Sequence, residues 1–222
     1  KLSNQALVDY SGYVDPNGDS PPLEWTTTGA NHWSVIDDGI RYNNIPDRAD
    51  YITAFIPDGF TSLTDTFDMT TLTGASSVTS IRVWAYLSRP TGDDGANTVN
   101  ANIYINGTWQ TAKQLSNNPN LTWYSVTWTG TWTQADLDNL KVRLIAQPDG
   151  IKGRSSFAYA IYAEITYTTT SLCGDGICGS DETCNSCSTD CGVCPSICGD
   201  LTCGFNETCG NCQLDCGRCQ TS

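Results

Sequence analysis

Apolar and polar residues alternate at period two through much of residues 24–169, the pattern of half-buried β-strands. In residues 80–87, Ile81, Val83, Ala85 and Leu87 fall on one face, and Arg82, Trp84 and Tyr86 on the other. Residues 100–105 alternate likewise, and Asn106-Gly107 predicts a tight hairpin turn into Thr108-Trp109. Residues 123–128, 142–146 and 159–167 predict further strands, with turn residues spaced roughly every 8–12 positions. One helical pattern interrupts them: Thr133 can cap a short helix in which Leu137 and Leu140 sit three apart. The prediction is an all-β fold, one two-layer sandwich.

The aliphatic face of residues 80–87 is the expected core face. Trp84 and Tyr86 are then expected to point outward as a contact surface, open to a glycan or to another subunit. Trp109, Trp123, Trp128 and Trp132 could extend such a surface, or serve as core and cross-strand pairs.

Ahead of the sandwich, Ala6, Val8 and Tyr10 alternate as in a strand, and the Pro- and Gly-rich stretch 15–22 is expected to act as a linker. A strand outside a complete domain needs an edge to pair with, its own or a neighbouring subunit's. Ala6, Val8 and Tyr10 are therefore candidate subunit-docking residues. Asp15, Asn17 and Asp19 show the 1-3-5 spacing of a calcium loop, but Gly18 stands in the fourth place and Thr26 in the twelfth, so the loop is incomplete.

The last fifty residues repeat themselves. Cys173, Cys178, Cys184, Cys187, Cys191 and Cys194 recur as Cys198, Cys203, Cys209, Cys212, Cys216 and Cys219, and these are all twelve cysteines of the chain. Asp175, Asp181, Glu182 and Asp190 recur as Asp200, Asn206, Glu207 and Asp215. A module of about 22 residues cannot bury enough apolar surface to fold unaided. Three disulfides per copy, each worth about 2–4 kcal/mol, would hold it. Zinc on the paired C-x-x-C motifs is the rival, but it would leave two cysteines over in each copy and has no use for the acids. The eight oxygen-bearing side chains are candidate calcium ligands, or simply solubilise a small knot.

This cysteine usage suits an oxidising compartment, outside the cell or on its surface. The chain carries net charge −13 with 16% charged residues, which excludes the basic face that nucleic acid requires. No apolar run approaches the length of a membrane span. Sequons at Asn106, Asn120 and Asn206 are candidate glycosylation sites. His32 is the single histidine, so a histidine-based catalytic set has little to build on. Asp37/Asp38 and Asp93/Asp94 are adjacent acids of the kind that form solvated turns.

Residues 132–144, W-T-Q-A-D-L-D-N-L-K-V-R-L, taken with W-S-V-I-D-D at 33–38 and A-I-Y-A-E-I-T-Y at 160–167, resemble a jelly-roll domain of bacterial and archaeal secreted and surface proteins and of phage structural proteins. The resemblance covers about residues 25–168. It implies a β-sandwich used for display, adhesion or assembly, and does not imply a catalytic site. The cysteine modules are similar to short repeats of microbial surface proteins. The expected organisation is an N-terminal strand and linker (1–22), a jelly-roll β-sandwich (23–170) and two disulfide-rich modules (171–195 and 196–222). The expected function is a non-enzymatic structural subunit of an extracellular filament or surface assembly, a homo-polymer joined by N-terminal strand addition and hardened by disulfides and calcium. The alternative is a carbohydrate-binding or adhesin module that engages surface glycans.

Overall fold

The computed structural model describes residues 10–36, 41–46, 48–89, 97–116, 120–151 and 153–169, and in the cysteine-rich part 173–174, 178, 182–184, 186–192, 203, 209–210 and 212–217. The chain divides into a sandwich unit, Asp9–Thr169, and a cysteine-rich unit that holds Thr170–Ser222.

In the sandwich, the first sheet runs β10 (Thr122–Trp132), β6 (Ser77–Ser88), β12 (Arg154–Thr168), β4 (Ile52–Ile56), β3 (Thr26–Thr27), with β1 (Tyr10–Val14) also on β12. The second runs β2 (Pro16–Leu23), β5 (Leu63–Met69), β11 (Lys141–Gln147), β7 (Thr98–Ile105), β8 (Thr108–Trp109), with β9 (Lys113–Ser116) also on β7. All these pairings are antiparallel. The two antiparallel layers form the expected jelly-roll β-sandwich. Between the layers lie Ile81, Val83, Ala85 and Leu87 of β6, Ile161, Ala163 and Ile165 of β12, Val142 and Leu144 of β11, and Val99, Ala101 and Ile103 of β7, all buried. Each large aliphatic chain buried this fully contributes about 1.5–3 kcal/mol. The aliphatic face of β6 is the core face, as its alternation predicts.

Two local predictions are met. Asn106 and Gly107 have φ of 51° and 71°, the left-handed pair of a type I′ hairpin turn. Thr133 and Asp136 form a reciprocal capping box at the start of α1 (Gln134–Leu137), which satisfies donors that the helix leaves unpaired.

Residues 15–22 are not a linker. Pro16–Leu23 is β2, in register with β5 through Gly18↔Asp68, Asp19↔Phe67 and Ser20↔Thr66. Its prolines are tolerated because β2 is an edge strand, where a missing N–H breaks no second ladder. The strand reading of Tyr10 holds, but its partner is in the same chain: β1 pairs with β12 from Tyr10↔Tyr167 to Val14↔Ala163. Ala6 and Val8 lie outside the described residues. Asp15 binds Arg41 through two hydrogen bonds of 2.8 and 2.9 Å. Asp19 accepts the backbone N–H groups of His32 and Trp33. Both carboxylates thus fasten loops.

In the cysteine-rich unit Cys173 bonds Cys187, Cys178 bonds Cys191 and Cys203 bonds Cys216. The second and third of these bonds are equivalent in the two copies. Cys184, Cys209 and Cys212 are also disulfide-bonded, while Cys194, Cys198 and Cys219 lie outside the described residues. Cys184, Cys187, Cys191, Cys209, Cys212 and Cys216 of the C-x-x-C motifs all lie in disulfides and offer no thiolate to zinc, so the zinc-ribbon reading falls. One-turn helices α2 (Ser188–Cys191) and α3 (Gln213–Cys216) occupy equivalent places, each after a buried cysteine, Cys187 or Cys212. Closing a loop of about 15 residues is worth about 3 kcal/mol, which replaces the core these modules lack. Among the described residues no helix is long and apolar enough to cross a membrane.

Candidate functional site

Each sheet turns one face away from the core. On the first sheet that face carries Trp84, Tyr86, Trp123, Tyr159 and Tyr162. Their rings form one layer: Trp84 stacks with Tyr42 at 4.7 Å and with Tyr162 at 6.1 Å, and Tyr86 meets Trp123 edge-on at 5.3 Å. The segment 41–46 lies over them. Tyr42 N–H donates to the Tyr162 hydroxyl at 3.2 Å, Trp123 Nε1–H donates to the Asn44 carbonyl at 2.8 Å, and the Arg41 guanidinium covers the Tyr162 ring at 4.7 Å. Trp84 Nε1–H donates to Glu164 at 3.1 Å. Burial pushes the Tyr162 phenol up to about 12.

This layer corrects the contact-surface expectation for Trp84 and Tyr86. Both lie on the outer face, as their alternation requires, but Tyr86 is only 5% exposed and Trp84 is half-buried. The face is a second small core closed by a strap, and the ring N–H and O–H groups named here are partnered.

The second sheet differs. Its outer face is built from three register rows. Gly18, Asp68, Lys141, Tyr104 and Trp109 form one row, and Ser20, Thr66, Arg143 and Asn102 form the next. Thr64, Ile145, Asn100 and Gln114 form the third. The residues of these rows point outward because they alternate with Val142, Leu144, Ala101, Ile103 and Phe67, which point to the core.

At one end of this face the polar groups are paired: Lys141 Nζ donates to Ser20 Oγ at 2.7 Å and to Asp68 Oδ1 at 2.5 Å. The Lys141 and Ser20 hydrogen bonds hold the Asp68 carboxyl below its ordinary value, against its partial burial. Beyond Ser20, the middle row holds three atoms that are not paired. Thr66 Oγ1, Arg143 Nε and Asn102 Oδ1 are buried atoms without a hydrogen-bond partner, although Thr66 and Asn102 face away from the core and are 0% and 3% exposed. The Arg143 guanidinium lies 4.0 Å from the Trp109 ring centre, and Trp109 meets Tyr104 edge-on at 5.4 Å. Both aromatic residues are partly exposed. Desolvation holds the Arg143 guanidinium below the usual arginine range. Three adjacent orphan groups beside two partly exposed rings suit a ligand that offers both hydrogen-bond donors and acceptors and an apolar face.

Sequence reasoning named Trp109 among the tryptophans but missed Thr66, Arg143 and Asn102. One signal was available. Asn100 and Asn102 alternate with apolar residues inside a strand, where asparagine is depleted.

His32 is fixed on the inner side of β5. Its Nδ1 hydrogen-bonds the Asp65 carboxylate, which also accepts Trp25 N–H at 2.9 Å. Asp65 is fully buried, and that burial pushes its carboxyl up to about 6 against the pull of those hydrogen bonds. The pair ties the loop before η1 (Trp33–Val35) to β5.

Of the candidate calcium ligands, Glu182, Asp190 and Asp215 are described; Asp175, Asp181, Asp200, Asn206 and Glu207 are not. Asp190 accepts Gly174 N–H at 2.5 Å. Among the described residues one group of three potential metal donors occurs, Cys173, Cys187 and Asp190, and its two sulfurs are bonded to each other. Asn106 and Asn120 are exposed. Asn206 lies outside the described residues, as do Asp37, Asp38, Asp93 and Asp94.

No family model and no curated protein matches the chain. Among solved structures it is similar to the CBM22-1 xylan-binding domain from Paenibacillus barcinonensis Xyn10C, at 9% identity over 70% of this chain and 94% of that one, TM-score 0.34. It is similar to the family 32 carbohydrate-binding module of C. perfringens NanJ in complex with galactose, at 15% identity over 70% and 93%, TM-score 0.30. A cyclase from Fischerella sp. TAU matches at 14% identity over 77% and 80%, TM-score 0.40. The chain spans only 19% of the bacteriophage CBA120 tailspike domain and 23% of the MgGH51 arabinofuranosidase that it also matches. Similarity at this level carries no functional argument; the geometry of the two faces does.

Proposed function

We propose that this chain is a non-catalytic glycan-binding module of a secreted or surface protein and that it holds its sugar on the outer face of the second sheet. The observation that carries the reading is the row Thr66, Arg143 and Asn102, three buried polar atoms without partners beside the half-open rings of Trp109 and Tyr104. A buried unpaired polar group costs about 1–3 kcal/mol, and sugar hydroxyls are groups that can pair with all three. The rings offer a stacking surface for the C–H face of a sugar. The disulfides of the cysteine-rich unit support a site outside the reducing cytoplasm.

The filament reading has lost its motive, because the strand of Tyr10–Val14 finds its edge within its own chain. The test is a glycan array followed by calorimetry. A specific glycan signal is expected to fall at least tenfold in Asn102→Ala and in Trp109→Ala, and to persist in Trp84→Ala. Loss of signal in a Trp84→Ala that circular dichroism shows folded, with Asn102→Ala and Trp109→Ala unaffected, would move the site to the other face.

A further inference from the structure

The chain holds 24 acidic residues and 11 basic ones, so a cation inside the sandwich has acids to spare. Arg41 pairs with Asp15, Arg82 with Glu164, Lys141 with Asp68 and Arg154 with Asp149. Arg143 does not follow them. It sits at the centre of its sheet, its Nε is buried and unpartnered, and its guanidinium lies over the face of Trp109 at 4.0 Å. An aromatic face compensates part of a cation's charge but accepts no directed hydrogen bond from the guanidinium edge.

The orphan atoms flanking it define what is missing. Arg143 presents a donor, so its ligand atom must accept. Asn102 presents a buried Oδ1, an acceptor, so the ligand atom above it must donate. Thr66 can do either. Arg143 is in register with Asn102 on one side and Thr66 on the other, and neighbouring strands lie about 4.8 Å apart, which is about the reach from a ring substituent to a hydroxyl on the same pyranose. We infer that the glycan taken by this face is an anionic sugar, its acidic substituent set against the Arg143 guanidinium and its hydroxyls against Asn102 and Thr66. A carboxylate suits the fork best, since guanidinium and carboxylate match in plane and spacing. A sulfate ester offers the same charge. This inference rests on the glycan-binding reading and deepens it.

Calorimetry with three probes tests it: an oligogalacturonate, its carboxyl-reduced neutral counterpart, and a sulfated neutral oligosaccharide of similar length. The oligogalacturonate is expected to bind at least tenfold more tightly than the neutral form, with an affinity that falls as salt is raised. Arg143→Met should remove that preference, so that the acidic and neutral forms bind alike. Arg143→Lys should restore part of it, and circular dichroism should show both variants folded. Tight binding of the sulfated probe with none of the oligogalacturonate keeps the anionic class and replaces carboxylate by sulfate. Equal affinity for acidic and neutral probes, abolished by Trp109→Ala but not by Arg143→Met, overturns the inference and leaves the glycan reading standing. Binding of no glycan, acidic or neutral, brings down both.

Discussion

The two outer faces of the sandwich have opposite chemistry and opposite states of completion. The first is aromatic, strapped by residues 41–46, with its polar handles paired: Tyr42 to Tyr162, Trp123 to Asn44, Trp84 to Glu164. The second is polar, and the centre of its middle row has no partners. A protein face rich in aromatic rings invites the assignment of a binding surface, yet here the rings are spent on stability. The difference teaches that a site is better recognised by what its groups lack than by which residues it contains.

Substitutions on the two faces should therefore separate stability from binding. The largest expected effect is on the aromatic face. Trp84→Ala removes a half-buried ring stacked with Tyr42 and Tyr162 and should cost about 2–3 kcal/mol in urea unfolding, with glycan affinity unchanged; a loss below about 1 kcal/mol would mean that the strap does not close a core.

The polar face should respond with the opposite sign. Thr66→Val keeps the shape of a fully buried side chain and deletes its orphan hydroxyl, so it should stabilise the fold by about 1 kcal/mol while weakening the ligand. If chemical denaturation shows a loss instead, the hydroxyl has a partner in solution and the contrast between the faces narrows.

The smallest effect concerns the strand that carries Thr66. Asp65 has a carboxyl raised by burial from 3.8 to about 6, so the fold binds its proton more tightly than the unfolded chain does. Its contribution is present in full below pH 3.8 and is lost as pH rises through about 6. Asp65→Asn cannot ionise and should flatten the fall in melting temperature between pH 4 and 7. Parallel curves for the two proteins would show that Asp65 does not titrate in this window, and that His32 holds it ionised throughout.

Local chemistry was readable from the sequence. The core face of Ile81 to Leu87, the Asn106-Gly107 turn and the Thr133 cap each depend on residues within one element, and each stands as expected. The paired cysteines were also readable, because a tandem repeat of twelve leaves a small module little else to hold it. What escaped depends on distant partners. Trp84 and Tyr86 lie on the outer face as their alternation requires, but nothing in residues 80–87 says that Tyr42 lies on top of them. Thr66, Arg143 and Asn102 become neighbours only through the order β5–β11–β7, which no local pattern states. The stretch 16–23 has the composition of a linker, and only its place at a sheet edge makes a strand of it.

Tyr10 lies opposite Tyr167, so the chain comes into the sandwich and leaves it side by side, at one end of a pair of antiparallel strands. Tension applied between residues 10 and 168 would not load the two layers in shear. It would open β1 from β12 like a zipper, one residue pair at a time, and each step would break only the hydrogen bonds at the fork. The rest of the sandwich, with its polar face, would hang off the line of force and stay intact under loads that had already freed its first strand.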